Sequence, residues 1–90
     1  MSATSIETTF KTLLENEKWP LRYMFKFIVP NQEGKVEMVK QLLPPNGVMS
    51  YKNTPNLKYV SITCVTNMQS ANDIIAVTTQ AVSIEGVMAL

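Results

Sequence analysis

The sequence predicts one α+β domain of the split-βαβ type, and three observations lead there. Leu21, Tyr23, Phe25, Phe27 and Val29 alternate with Arg22, Met24, Lys26 and Ile28, a period of two that marks a strand with one buried face. Strand-like and helix-like stretches then follow in the order β-α-β-β-α-β, the pattern of two interlocked βαβ units. Ninety residues, 46% of them apolar, suffice for one core and not for two.

The elements follow in chain order. Ile6, Phe10, Leu13 and Leu14 fall at i, i+4, i+7 and i+8, which predicts an amphipathic helix over residues 5–16. Thr4 with Glu7 reads as its capping box, and Trp19-Pro20 ends it. Residues 1–19 are thus a leader and helix preceding a domain over residues 20–90. Strand β1 covers Leu21–Val29, three aromatic rings on one face, and Pro30 stops it. Asn31 is placed to cap helix α1, whose buried stripe is Val36, Val39, Leu42 and Leu43 and which Pro44-Pro45 closes.

Strands β2 (Val48–Lys52) and β3 (Leu57–Thr66) form a hairpin around Asn53-Thr54-Pro55-Asn56, a run of turn-forming residues. Val60, Ile62 and Cys64 share one face of β3; Tyr59, Ser61, Thr63 and Val65 share the other. Ser70 and Asp73 cap helix α2, with Ile74, Val77, Thr78 and Ala81 at helical spacing. After Gly86, Val87–Leu90 predicts a short strand β4. Right-handed crossovers then give an antiparallel sheet in the order 4-1-3-2 with both helices on one face, a ferredoxin-like sandwich.

Charge and composition exclude several function classes. Eight basic and seven acidic residues, scattered, give a net charge of +1 and no patch to capture nucleic acid or an anionic membrane. The apolar runs are too short to span a bilayer. Polar Met1–Ser5 lacks the order of a signal peptide, and a lone cysteine, Cys64, fits a reducing compartment, so a cytoplasmic setting is expected. A charged fraction of only 17% leaves apolar surface to cover, which points to a homodimer.

Catalysis is not expected. The chain has no histidine, the commonest general base near neutral pH and the commonest transition-metal ligand. Cys64 lies mid-strand among apolar neighbours with no histidine to take its proton, so it reads as core. Glu33 and Glu37, four residues apart, read as a solvated face near a helix start. No phosphate loop, dinucleotide fingerprint or zinc spacing occurs, and neither cofactor nor metal is expected. RNA recognition on this fold needs open-face aromatics on β1 and β3. Here β3 supplies only Tyr59, and the β1 aromatics fall on the core face.

The segment Val29-Pro30-Asn31-Gln32-Glu33-Gly34-Lys35-Val36 resembles the ligand loop of ACT domains, regulatory modules that bind amino acids at domain interfaces. Asn31 stands near the acidic position of those loops, and Glu33-Gly34 replaces their Pro-Gly. The resemblance implies a ligand site at Asn31, Gln32, Glu33, Gly34 and Lys35; the alternative is an ordinary turn with a flexible glycine. Over residues 10–90 the chain resembles the YbeD-like family of bacterial proteins, a domain of unknown function with ACT-like structure. The resemblance rests on Leu13-Leu14-Glu15 followed by Trp19-Pro20-Leu21, on Tyr59-Val60-Ser61-Ile62-Thr63, and on Ile84-Glu85-Gly86-Val87-Met88-Ala89-Leu90. The chain departs from that family around α1 and at Gly86, where the family often has an apolar residue. The family implies a fold and a bacterial cytoplasmic setting and carries over no activity or catalytic residue.

Two functions are therefore expected in order. The first is a non-catalytic regulatory module that binds a small metabolite such as an amino acid through residues 31–35. The second is a protein-partner adaptor that uses the open sheet face or the N-terminal helix. Met24, Ile28, Tyr59 and Val65 are the interface candidates on that face, because their apolar area is uncomfortable in water.

Overall fold

A computed structural model describes residues 17–90; the expected helix over residues 5–16 lies outside them. The described elements are β1 (Leu21–Pro30), α1 (Lys35–Leu42), β2 (Val48–Asn53), β3 (Tyr59–Met68), α2 (Ala71–Val82) and β4 (Met88–Ala89). The four strands form one antiparallel sheet in the order β2-β3-β1-β4, the expected order read from the opposite edge.

Alternation decides which face is covered. Along β1, Phe25, Phe27 and Val29 are buried while Arg22, Met24 and Lys26 are exposed. The ladder sets Phe25 opposite Cys64, Phe27 opposite Ile62 and Val29 opposite Val60, so the two central strands present one continuous apolar surface. Tyr23, Phe25 and Phe27 stack along it, the first pair edge-to-face at 4.9 Å and the second parallel at 6.3 Å. From the helices, Val39, Leu43, Ile74 and Ala81 close over this surface and Val87 completes it. Each buried Val, Leu, Ile or Phe side chain among them contributes about 1.5–3 kcal/mol relative to exposure.

Three expected details are corrected. Asn31 does not cap α1; the cap residue is Gly34, whose φ of 86° suits glycine, with no side-chain cap bond. Strand β3 runs Tyr59–Met68 rather than Leu57–Thr66, because Leu57 sits in the turn at φ 59° and the buried alternation continues to Met68. Strand β1 runs through Pro30, which pairs with Tyr59 as the last rung. The α2 cap is as expected, with the Asp73 backbone N–H donating to Ser70 Oγ at 3.1 Å.

Gly47 precedes β2 where the chain passes over the core, and a Cβ there would overlap Cys64 Sγ. Gly47→Ala is expected to lower stability by about 1–3 kcal/mol, the cost of overpacking. Urea denaturation checks this, and the cost should shrink in a Cys64→Ala background. Equal costs in both backgrounds would remove the clash as the cause.

Candidate functional site

Antiparallel pairing brings three remote segments to one end of the sheet. β1 ends at Pro30 opposite Tyr59, where β3 begins, and Ile28 pairs with Met88, so the α2–β4 loop also arrives beside Pro30. Between these segments lies a cleft of about 430 Å³. Asn31, Gln32 and Lys35 line it from the β1–α1 loop, Lys58 and Tyr59 from the hairpin, and Glu85 and Gly86 from the loop before β4.

Hydrogen bonds tie these walls together. The Asn31 backbone N–H donates to the Lys58 carbonyl at 2.8 Å, and its side-chain Nδ2 donates to the Leu57 carbonyl at 2.9 Å. Asn31 thus fastens the β1–α1 loop to the hairpin, which is why it is not available to cap α1. The Lys35 Nζ donates to the Glu85 carbonyl at 2.9 Å and fastens α1 to the third wall. A Cβ on Gly86, whose φ is 86°, would stand 2.6 Å from Pro30 Cγ. That close approach gives Gly86 a steric reason for glycine in place of an apolar residue.

Of the five expected ligand residues, Asn31, Gln32 and Lys35 line the cleft, and Glu33 and Gly34 are exposed without lining it. Gly34 has open space where a Cβ would go, so its constraint is conformational. A valine there would be strained by the left-handed backbone. Sequence reasoning missed Lys58, Glu85 and Gly86 as cleft residues. The signal was available in the topology, since an antiparallel register fixes which loops meet at a given end.

The cleft combines both signs of charge, Lys35 and Lys58 with Glu85. A larger groove of about 520 Å³ at Leu42, Pro44, Met68 and Val77 has a single titratable side chain, Asp73. A third, of about 330 Å³ between α1 and α2, is lined by Met38 and Leu42 with neutral partners. Convergent charge therefore singles out the first.

The open sheet face carries all four interface candidates. Met24 is 57% exposed and stands opposite Val65; Ile28 is half-buried beside Met88; Tyr59 is exposed at the cleft end. Among the described residues no group of three His, Cys, Asp or Glu could hold a metal ion, and no helix is long and apolar enough to cross a membrane.

Burial pushes the thiol of Cys64 and the phenol of Tyr23 above their ordinary pKa values. In each case the folded state keeps a proton that the unfolded chain has already released. Both contributions to stability are complete below the unfolded-state values and are lost as pH rises through the folded ones. Stability from urea melts should therefore fall in the alkaline range, less steeply for Cys64→Ala. A pH-independent melt there would contradict the burial of both groups.

No family model matches the chain, and no curated protein or solved structure matches it.

Proposed function

We propose that this chain is a non-catalytic regulatory module of ferredoxin-like, ACT-like architecture that binds a small zwitterionic carboxylate, such as an amino acid, in the cleft at Asn31–Lys35. The observation that carries this reading is the meeting of Lys35, Lys58 and Glu85 around one cleft of about 430 Å³. The two ammonium groups suit a carboxylate, and the carboxylate of Glu85 suits an α-ammonium group. Gln32 and Tyr59 add neutral hydrogen-bonding groups that can orient the remainder. The volume lies within the range of small-molecule sites, roughly 300–1,000 Å³.

The architecture supports a regulatory role. Lys35 belongs to α1 and its bond to the Glu85 carbonyl reaches the loop leading into β4. A ligand competing for the Lys35 ammonium would alter the tie between those elements, which is a way to report occupancy elsewhere. The resemblance of the β3 and C-terminal motifs to the YbeD-like family fits a module of this kind in a bacterial cytoplasm. The absence of histidine from the sequence and the burial of Cys64 favour binding over catalysis.

A thermal-shift series with the common amino acids tests the proposal. A ligand at 100 times its Kd is expected to stabilise the protein by about 2.7 kcal/mol. Lys58→Ala should abolish the response while leaving the unliganded melting temperature nearly unchanged, because the Lys58 side chain is exposed. A response that survives both Lys58→Ala and Glu85→Gln would place the ligand elsewhere. No response to any amino acid would remove this ligand class.

A further inference from the structure

Strand β1 is a central strand at one end and an edge strand at the other. Along its β3 side the pairing is complete, from Leu21 opposite Met68 to Pro30 opposite Tyr59. On its other side β4 pairs with Phe27 and Ile28, and the last bond runs from the Leu90 N–H to the Lys26 carbonyl. In an antiparallel ladder, alternate residues turn their backbone groups to the same side. Arg22 and Met24 therefore aim N–H and C=O as Lys26 does, away from β3. The Asn31 N–H, which donates to the Lys58 carbonyl, shows the odd-numbered set turned towards β3. Among the described residues nothing pairs with Arg22 or Met24 on the free side.

This edge carries a specific chemistry. On the helix side a slot of about 290 Å³ opens beside it, lined by Tyr23, Phe25 and Phe27 of β1, Thr78 of α2, and Ala89 and Leu90. The slot falls just below the range of small-molecule sites, roughly 300–1,000 Å³, and its aromatic lining suits one apolar side chain. Tyr23 is only half-buried there, although its neighbour Phe25 is covered. On the open side the exposed Arg22 and Lys26 flank Met24, which is 57% exposed. None of the four strands contains an aspartate or glutamate.

Charge and alternation select the occupant. Cations on an edge strand repel a like strand, so a second copy of this edge is a poor match. A strand that alternates acidic and apolar residues is complementary to it. Residues opposite Arg22 and Met24 project on the open side, within direct or diagonal reach of Arg22 and Lys26. The residue between them projects on the helix side, into the slot.

We infer that the edge of β1 at Arg22 and Met24 accepts an extended acid–apolar–acid segment of a partner protein as an added antiparallel strand. The partner's backbone bonds to Arg22 and Met24, and its apolar side chain fills the slot over Tyr23 and Phe25. Its carboxylates meet Arg22 and Lys26. The edge lies towards the Leu21 end of the sheet, away from the cleft at Pro30.

Amide hydrogen exchange of the full chain, followed by NMR with a synthetic peptide centred on Glu-Leu-Glu, tests it. In the free protein the Arg22 and Met24 amides are expected to exchange fast, and the Tyr23 and Phe25 amides, bonded to β3, slowly. Millimolar peptide should slow the first pair by about tenfold or more and leave the second pair unchanged. Met24→Pro removes one edge N–H without touching the β3 ladder and should abolish the effect. The double variant Arg22→Glu/Lys26→Glu alters only exposed side chains and should shift the preference to a Lys-Leu-Lys analogue. Slow Arg22 and Met24 amides in the free protein at every concentration would overturn the inference, since the chain would then cover its own edge. Protection that grows with protein concentration alone would do the same, because it belongs to a second copy. So would a peptide that fails to bind at millimolar concentration, that leaves both amides fast, or that binds equally after the charge reversal.

Discussion

The ten-rung ladder between β1 and β3 is the constraint on which the rest of the molecule depends. It joins two strands separated by the whole of α1 and β2, with a register running from Leu21 opposite Met68 to Pro30 opposite Tyr59. Once that register is set, Phe25, Phe27 and Val29 must share a face with Cys64, Ile62 and Val60. A slip of one residue would turn every one of these side chains towards water. Burial of the aromatic face is therefore what selects the pairing, and the pairing is what places both helices. The edge strands contribute less, since β4 is two residues long and β2 buries none of its side chains completely.

The same ladder creates two different surfaces. At its Pro30–Tyr59 end the hairpin, the β1–α1 loop and the α2–β4 loop are forced together, and the charged groups they carry become neighbours. On the side away from the helices, alternation exposes a strip of apolar and cationic residues along the whole length of β1. Tyr59 belongs to both, lining the cleft and ending the open face.

Close packing shows in the glycines more than in any polar network. Gly47 brings the chain entering β2 against Cys64, and Gly86 brings the loop before β4 against Pro30. Both contacts lie where a connection must pass within van der Waals distance of a central strand. In a domain this small the sandwich is thin, and the connections themselves complete the core. The exposed ion pair Glu37–Lys40 at 3.8 Å and the Lys40 ammonium over the Tyr51 ring at 5.6 Å lie on the outside of α1 and add little by comparison.

Much of the fold was legible in the residues themselves. The period-two run from Leu21, the Ser70–Asp73 cap and the turn residues at 53–56 are local signals, and each specifies its element through backbone geometry and burial within a few residues. The boundaries were less so, because the positive φ of Leu57 and the continuation of β3 to Met68 depend on how the hairpin meets β1. The cap of α1 was misread for the same reason. Asn31 has the chemistry of a cap, but its amide is held by the Leu57 carbonyl, a partner 26 residues away. The candidate site divides along that line. Asn31, Gln32 and Lys35 could be found from one loop, whereas Lys58 and Glu85 join them only through strand register. Local sequence determines which elements form and which faces they bury; the pairing of distant strands decides which loops, and hence which charges, meet.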